Sequence, residues 1–397
     1  MGQLAAVEGV GLSAMAGATP GTQPALALRG VPVFCNALLD DAESARRAPV
    51  GDIELRFSPD TGLLWNAAYD PALTAYSPAY ENSLHFSPRF QDYAHRLARR
   101  LVAEHGLAGQ QVVEIGSGSG EFLALLVEAG AGAGVGYDPS HEPGRSRAAG
   151  VTVHTEPYPL ERPVEAAAVV CRHVLEHLAE PAELLDAVRA SLGSRADAVL
   201  YLEVPDAGYL LEQLAVWDVI YEHRSYFAPV SLVCLVERAG FEVLRVGSDF
   251  GGQFLQLEAR PRVGGGGRGG GAPEPAALRR LGALVERFEE HVLRLLATER
   301  ARLEELVADG PTAVWGIGSK GVTYLSLMLA GAEVAYAVDV NPHKRGRYTP
   351  VTAHRVLAPD DLIGAPLAHV VVMNPHYRDE VAAMLRERGL HPELHTF

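Results

Sequence analysis

Two glycine-rich stretches of this sequence have the composition of nucleotide-binding loops. The first is VVEIGSGSGEF, where an apolar run leads into Gly116, Gly118 and Gly120 and then into a predicted helix. Glycine lets the backbone turn sharply and approach a ligand closely, and the start of a helix offers free N–H groups. The next predicted strand ends at Asp138, whose carboxylate can accept hydrogen bonds from ribose hydroxyls. This stretch therefore predicts a site for a nucleotide-type cofactor.

The second stretch, VWGIGSKGVTY at 314–324, contains the spacing G-x-G-x-x-G that is typical of dinucleotide sites. A dehydrogenase needs both mononucleotide halves of such a sheet, and the residues after this loop suffice for about one half. We therefore interpret the loop as a substrate site, where glycines at a helix start and a scarce lysine suit a diphosphate. The alternative is a domain that only packs. The candidate substrate-binding residues here are Gly318, Ser319, Lys320 and Asp339.

The glycine spacing of the first loop differs from the dinucleotide pattern. With Glu114 ahead of it, the loop resembles motif I of class I S-adenosylmethionine (SAM) methyltransferases, E-x-G-x-G-x-G, and RHVLEHL at 172–178 resembles the fourth motif of those enzymes. The resemblance implies SAM as cofactor and S-adenosylhomocysteine as product. Glu156 lies where this fold often contacts adenine, although a solvated loop carboxylate is an equal alternative. The candidate cofactor-binding residues are Glu114, Gly116, Ser117, Gly118, Gly120, Asp138, Pro139, Glu156, Arg172 and His173.

The order of motifs over nearly all of residues 30–397 is similar to the sugar C-methyltransferase family. That family has a small N-terminal zinc module, a central SAM domain and a C-terminal α/β domain, and its substrates are nucleotide-linked ketosugars. The matching segments are YENSLHFSPRFQDYA (80–94), EIGSGSG (114–120), RHVLEH (172–177), YEHRSYF (221–227), GGQFLQLEA (251–259), GIGSKGVTYL (316–325) and VDVNPHKRGRY (338–348).

The segment YEHRSYF supplies the residue types that carbon methylation requires. Forming a carbon–carbon bond with SAM needs a carbanion equivalent, which a base produces by removing a proton next to a ketone, and a donor must stabilise the enolate oxygen. The resemblance implies His223 as this base, which suits a side chain whose pKa is near neutrality. Glu222 would orient His223 or share its proton, and Tyr221 would donate to the substrate oxygen.

Four further residues complete the predicted pocket. Tyr80 is a candidate second catalytic phenol, and the candidate substrate contacts are Tyr76, Arg224 and Tyr226. Simple packing remains open for the two tyrosines of the earlier segment, as does a surface-loop position for His223.

The N-terminal region departs from the family pattern because its zinc ligands are missing. The family uses paired Cys-x-x-Cys ligands, whereas this chain has FSPDTG at 57–62, with Ser58 and Thr61 where the second pair would fall. The three cysteines, Cys35, Cys171 and Cys234, are far apart in sequence, and a closed zinc site needs about four Cys or His ligands. We therefore predict no metal site.

Charge and hydropathy exclude several classes of partner. The formal net charge is −15 and the basic residues are scattered, whereas nucleic-acid binding needs a clustered basic face. No apolar run is long enough for a membrane span, and the N-terminus lacks the pattern of a signal peptide. We expect a soluble cytoplasmic protein with a small-molecule substrate. The sequence does not indicate an oligomeric state.

The alternation of apolar strand and helix patterns predicts an α/β fold with a parallel central sheet covered on both faces. We expect a central class I methyltransferase, Rossmann-like sheet, a small degenerate N-terminal β module and a C-terminal half-Rossmann α/β domain. The predicted boundaries are a disordered tail (1–28), the N-terminal region (29–80), the SAM-binding domain (81–260), a Gly-rich linker (261–275) and the C-terminal domain (276–397).

Three functional hypotheses follow. The first is SAM-dependent C-methylation of a nucleotide-activated deoxy-ketosugar in natural-product biosynthesis, by deprotonation next to a ketone and attack of the enolate on the SAM methyl group. The second is O- or N-methylation of a non-sugar secondary metabolite, and the third is a protein that keeps SAM as a structural ligand without transferring its methyl group.

Overall fold

The computed structural model describes residues 21–74, 84–142, 148–161, 164–193, 195–262, 273–328 and 333–397. These residues form an α/β protein with one four-stranded, one seven-stranded and one five-stranded sheet, which confirms the predicted fold class. Within these ranges, every helix is too short or too polar to cross a bilayer.

The four-stranded sheet belongs to the N-terminal region. Its antiparallel strands are β1 (Gln23–Pro32), β2 (Val50–Phe57) and β3 (Leu64–Asn66), with a short helix α1 (Ala42–Arg46) between the first two. The predicted disordered tail was wrong for residues 23–28, because alternate small and apolar residues there, including Leu26 and Leu28, are fully buried in β1. Residues 1–20 of that tail lie outside the described residues.

A hydrogen-bonded turn stands where the family's second cysteine pair would lie. The hydroxyl of Ser58 accepts from the N–H of Thr61 at 3.3 Å, and its carbonyl accepts from the N–H of Gly62 at 2.8 Å. The absence of zinc stays a prediction.

The seven-stranded sheet forms the central domain. Its strands are β4 (Gln111–Ile115), β5 (Ala133–Tyr137), β6 (Val151–His154), β7 (Ala168–Arg172), β8 (Val199–Pro205), β10 (Phe241–Asp249) and β11 (Phe254–Pro261), in the order β10-β11-β8-β7-β4-β5-β6. The helices are α2 (Pro88–Glu104), α3 (Glu121–Glu128), α4 (Pro181–Leu192), α5 (Ala207–Glu212) and α6 (Pro229–Arg238). The predicted parallel sheet is in fact mixed, because the short turn after β10 permits only a hairpin and makes β11 antiparallel to both neighbours.

Helix α2 confirms its predicted apolar face. Phe90, Tyr93, Leu97 and Leu101 are all buried, as their spacing of three and four residues required. Ser87 caps the helix by accepting from the N–H of Phe90, which is why the helix begins at Pro88.

The C-terminal domain is a five-stranded parallel sheet preceded by a long helix. Its strands are β12 (Thr312–Trp315), β13 (Tyr336–Val338), β14 (Val356–Leu357), β15 (His369–Val372) and β16 (Glu393–His395), in the order β14-β13-β12-β15-β16. Its helices are α7 (Pro275–Asp309), α8 (Ser319–Met328) and α9 (Arg378–Glu387). The predicted linker overlaps both neighbouring elements, since Pro261 ends β11 and Pro275 begins α7, and residues 263–272 lie outside the described residues.

The three sheets are joined by elements that cross between them. The fourth strand of the N-terminal sheet is β9 (Ser225–Tyr226), which lies within YEHRSYF and pairs with β3. Helix α7 packs on β1 through Leu281, Val285, Phe288 and Val292, which are buried in a core shared with that sheet. The segment that carries His223 is therefore held by the N-terminal module.

Candidate active site

The first glycine loop adopts a backbone that only glycine accepts readily. Gly116, Gly118 and Gly120 have φ angles of 71°, 55° and 82°, all in the left-handed region. A Cβ atom at Gly116 would also lie 2.1 Å from a methyl group of Val174. The loop thus brings bare backbone to the edge of the sheet.

Asp138 ties this loop to the neighbouring strand. Its carboxylate accepts hydrogen bonds from the N–H groups of Gly118 at 2.7 Å and Ser140 at 2.8 Å. Strands β4, β5 and β7 are parallel neighbours, so the glycine loop, Asp138 and His173 all follow strand ends at the same edge of the sheet. Ligands of open α/β sheets bind at this edge.

Two buried polar atoms below the loop lack a protein partner. Among the described residues, neither Glu114 Oε2 nor the Ser117 hydroxyl has a hydrogen bond. Burial raises the pKa of Glu114 to about 8. Buried polar groups normally find a partner, so these atoms fit a ligand that brings hydrogen-bonding groups of its own. The residues present therefore fit a SAM-type cofactor.

The remaining predicted cofactor residues have different surroundings. The Arg172 guanidinium donates to Glu203 at 2.9 and 3.0 Å and lies over the ring of Phe122, so it belongs to an internal ion pair, and its contact with the cofactor stays a prediction. Pro139 and Glu156 are exposed, and their cofactor role stays a prediction.

A cleft of about 280 Å³ lies between the central and C-terminal sheets. On the central side it is lined by His173, Glu176, His177 and His223, and on the C-terminal side by Gly318, Ser319, Lys320 and Asp339. The fold thus brings the predicted base, one predicted cofactor residue and all four predicted C-terminal residues into one cavity.

His223 presents a neutral imidazole to this cleft. Burial, followed by the neighbouring His177, lowers the pKa of His223 to about 3. Its Nδ1 atom is buried and has no hydrogen-bond partner among the described residues, while its ring packs edge-on against His177 with centroids 4.9 Å apart. A neutral imidazole with an unoccupied nitrogen can accept a proton.

The carboxylate near His223 belongs to Glu176. Ligating atoms of Glu176, His177 and His223 all lie within 4.8 Å of one another. The Glu222 carboxylate accepts from the backbone N–H of Cys35 at 2.8 Å, and the orientation of His223 by Glu222 stays a prediction. Sequence reasoning missed Glu176, although it lies in RHVLEHL, whose sequence alone does not reveal which side chain faces YEHRSYF.

The hydroxyls of Tyr221 and Tyr226 have hydrogen-bond partners within the protein, and their predicted roles stay predictions. Tyr221 is fully buried in the N-terminal module, stacks on Tyr69 and accepts from the N–H of Asp70 at 2.7 Å through its hydroxyl. The Tyr226 hydroxyl is buried and donates to the carbonyl of Ile220 at 3.0 Å, closing the turn that carries His223. Both side chains support the loop, and neither belongs to the cleft lining of the described residues.

Arg224 also has a supporting role. Its guanidinium lies 4.5 Å from the centre of the Tyr69 ring, outside the cleft lining of the described residues, and the predicted substrate contact stays a prediction. Tyr76 and Tyr80 lie outside the described residues, and their predicted roles stay predictions.

The C-terminal side of the cleft carries both lysines of the chain. Lys320, in the first turn of α8, contacts the carboxylate of Asp218. Lys344, which sequence reasoning missed, donates to the carbonyl of Ile317 at 2.9 Å and lies 3.4 Å from Asp339. Its signal was present in VDVNPHKRGRY, a segment recognised by resemblance and not interpreted residue by residue.

Two family models match this chain. Residues 86–246 match the model described as a methyltransferase domain, and residues 271–389 match the model described as a C-methyltransferase C-terminal domain. No curated protein matches it.

Several solved structures are similar in fold over part of the chain. N,N-8-amino-8-demethyl-D-riboflavin dimethyltransferase from Streptomyces davawensis is 22% identical over 43% of this chain and 56% of its own, with a TM-score of 0.35. Magnesium protoporphyrin IX methyltransferase from Synechocystis PCC 6803 is 20% identical over 43% and 83%, with a TM-score of 0.34. The 1,6-didemethyltoxoflavin-N1-methyltransferase from Burkholderia thailandensis is 20% identical over 44% and 81%, with a TM-score of 0.35. This chain thus spans about half the length of the first of these structures.

The chain thus contains a methyltransferase domain followed by a C-methyltransferase C-terminal domain.

Proposed function

We propose that this enzyme methylates a carbon atom of a nucleotide-activated deoxy-ketosugar in natural-product biosynthesis. The observation that carries the proposal is the cleft, which is lined both by the predicted base His223 and by Gly318 and Lys320 of the second glycine loop. One ligand that spans this cleft would place its reactive part at the histidines and its charged part at the lysine.

The central side of the cleft is suited to removing a proton from carbon. His223 is neutral, so it can accept the proton of a C–H group next to a ketone. Bound SAM supplies an electrophilic methyl group. Burial lowers the pKa of His173, but Glu176 and Glu203 outweigh it and raise this pKa to about 9, so His173 is a cation in the cleft wall. A nearby cation favours the negative charge that develops on the ketone oxygen.

The C-terminal side is suited to a diphosphate. Gly318 and Ser319 lie at the start of α8, where backbone N–H groups point outward and favour an anion. Lys320 and Lys344 line the same wall, each beside a carboxylate, and can donate to phosphate oxygens. Asp339 at the end of β13 can accept from a sugar hydroxyl, as acidic residues do at that position of a nucleotide-binding half-sheet.

The test is to identify the methylated atom. The enzyme is incubated with ¹³C-methyl SAM and a panel of nucleoside-diphosphate ketosugars, and products are analysed by mass spectrometry and NMR. We expect a ¹³C methyl group bonded to a carbon next to the ketone. A methyl group on oxygen or nitrogen of another metabolite would support the second hypothesis instead, and bound but unconsumed SAM would support the third.

A further inference from the structure

One buried carboxylate at the bottom of the cleft is surrounded by imidazoles. Glu176 is 1% exposed, and neither of its carboxylate oxygens has a hydrogen-bond partner among the described residues. His173 Nδ1 lies 3.6 Å from one of them, and His177 and His223 complete a cluster whose ligating atoms are within 4.8 Å of one another. Burying a carboxylate is costly unless cationic or hydrogen-bonding groups lie next to it, and protonated imidazoles are such groups.

The backbone fixes Glu176 against the segment that carries His223. The Glu176 carbonyl accepts from the N–H of Arg224 at 2.8 Å, directly after His223 in sequence. The Glu222 carbonyl accepts from His177 Nδ1 at 2.9 Å, which fixes the orientation of the His177 ring. One main-chain hydrogen bond and one bond from a side chain to the main chain therefore join the segment of Glu176 and His177 to the segment of His223.

The charged groups around His223 act in opposite directions. His177, His173 and Lys320 disfavour a proton on His223, whereas Glu176 favours it. Glu176 is itself ionised: burial raises its pKa, but His173 and His177 outweigh burial and lower it.

We infer that Glu176 is the charge partner of His223, positioning its imidazole and stabilising the proton that it takes from the substrate. This inference rests on the proposed function. In the step, the substrate C–H bond breaks, its electron pair stays on the substrate and spreads onto the ketone oxygen, and the proton bonds to the His223 imidazole. Glu176 stays ionised throughout and pairs with the imidazolium, so no charge or atom is left unaccounted for. Glu176 is thus a positioning residue that acts through His223.

Two variants of Glu176 separate a role of charge from a role of shape. Glu176→Gln keeps the shape and loses the charge, whereas Glu176→Asp keeps the charge and shortens the side chain. Both are compared in full-length enzyme for solvent deuterium exchange at the substrate carbon with S-adenosylhomocysteine present, for kcat and KM, and for S-adenosylhomocysteine affinity. We expect the Gln variant to lose exchange and kcat on the order of 10²-fold, the lower part of what a positioned base contributes, and the Asp variant to retain more of both. KM and S-adenosylhomocysteine affinity should change little.

A matched control is Glu258→Gln, which removes another buried carboxylate that contacts a histidine, His105, at 2.7 Å, outside the cleft lining. It should lower stability without lowering the exchange rate per folded molecule. If Glu176→Gln is more active than Glu176→Asp, the side chain acts by shape and the inference is overturned. Stoichiometric metal that is lost in the Gln variant, with activity lost on chelation, would also overturn it, because the cluster would then hold a cation.

The exchange rates of the His223→Ala and Glu176→Gln variants distinguish an error about Glu176 from an error about the base. If His223→Ala abolishes exchange while Glu176→Gln leaves it at the wild-type rate, only the role of Glu176 is wrong. If His223→Ala exchanges at the wild-type rate, the proposed base itself is wrong.

Discussion

At the scale of single residues, the glycine loop gives the sharpest prediction about the cofactor. Gly118 has a φ of 55° and no atom within 4 Å of the position that a Cβ would take, so backbone strain and occupation of the ligand's space, and not a clash within the protein, oppose a side chain. A left-handed backbone costs roughly 1–2 kcal/mol for a residue with a Cβ, and a β-branched residue is especially unfavourable there. We expect Gly118→Val to weaken S-adenosylhomocysteine binding at least about tenfold, which corresponds to about 1.4 kcal/mol.

Isothermal titration calorimetry measures this change, with Gly247→Val as control. An added Cβ at Gly247 would also meet no atom within 4 Å, but this glycine lies in strand β10 without a left-handed backbone. A folded Gly118→Val protein with wild-type affinity would show that the loop does not approach the cofactor.

Sequence reasoning identified the candidate residues that local spacing marks. It missed those whose position depends on the direction in which a side chain points. Gly116, Gly118 and Asp138 were recognisable because loop chemistry is encoded within one strand-loop-helix unit. In YEHRSYF, His223 faces the cleft while Tyr221 faces the N-terminal core, and no periodicity in a loop specifies that choice. Glu176 was missed for the same reason.

At the scale of elements, the N-terminal sheet holds the segment YEHRSYF, which carries His223, in place. Gly51 of β2 approaches Tyr221 so closely that an added Cβ would lie 2.3 Å from the ring, and the Tyr221 hydroxyl accepts from Asp70. We expect Tyr221→Phe to lower the free energy of unfolding by about 1 kcal/mol, the typical contribution of one hydrogen bond, and to leave deuterium exchange near the wild-type rate.

Urea denaturation and the exchange assay test this together. Tyr336→Phe removes an exposed hydroxyl that donates to the Pro366 carbonyl at 3.2 Å, and should change stability less. Loss of exchange in folded Tyr221→Phe would support the catalytic role first predicted for this tyrosine.

A second prediction at this scale concerns the joint between α2 and β11. Burial raises the pKa of Glu258, but His105 and Arg100 outweigh it and lower this pKa from 4.5 to about 2. A depressed carboxyl pKa stabilises the fold above the unfolded value and loses that contribution as pH falls. The stability difference between wild type and Glu258→Gln should therefore be full above pH 4.5 and decline as pH falls towards about 2.

Urea denaturation at a series of pH values measures this difference, with the exposed Glu183→Gln on α4 as control. A difference that stays constant down to the lowest pH at which the protein folds would contradict the assigned ion pairs.

The elements themselves were largely predictable, and the errors have physical causes. Helix α2 followed from its apolar spacing, and the strands of the central sheet from their apolar runs. The pairing of β9 with β3 was not predictable, because two residues leave no pattern and the partner lies far away in sequence. The start of β1 was missed because its small residues alone resemble a loose tail. They form a strand through pairing with β2.

At the scale of the whole molecule, the main feature is the cleft between the central domain and the C-terminal domain. If Lys320 binds a diphosphate there, Lys320→Met should weaken binding of a nucleoside diphosphate by about tenfold or more, since a hydrogen bond to a charged group contributes about 1.5–3 kcal/mol. Affinity for S-adenosylhomocysteine should not change, because the glycine loop of the central sheet binds it.

Calorimetry with thymidine and uridine diphosphates tests this, with Arg345→Met as control, since Arg345 is exposed and pairs with Asp361 outside the cleft lining. Equal nucleoside-diphosphate affinity in the wild type and the Lys320→Met variant would show that the second glycine loop does not bind the diphosphate.

The central claim is that His223 removes a proton from carbon in this cleft. The most direct measurement is deuterium incorporation at the carbon next to the ketone, in heavy water with S-adenosylhomocysteine present, by wild-type enzyme and His223→Ala. We predict exchange in the wild type and a loss of about 10²–10⁴-fold in the variant, with unchanged S-adenosylhomocysteine affinity. Exchange at the wild-type rate in a folded His223→Ala protein, or methylation by the wild type without any carbon-bound deuterium, would contradict it.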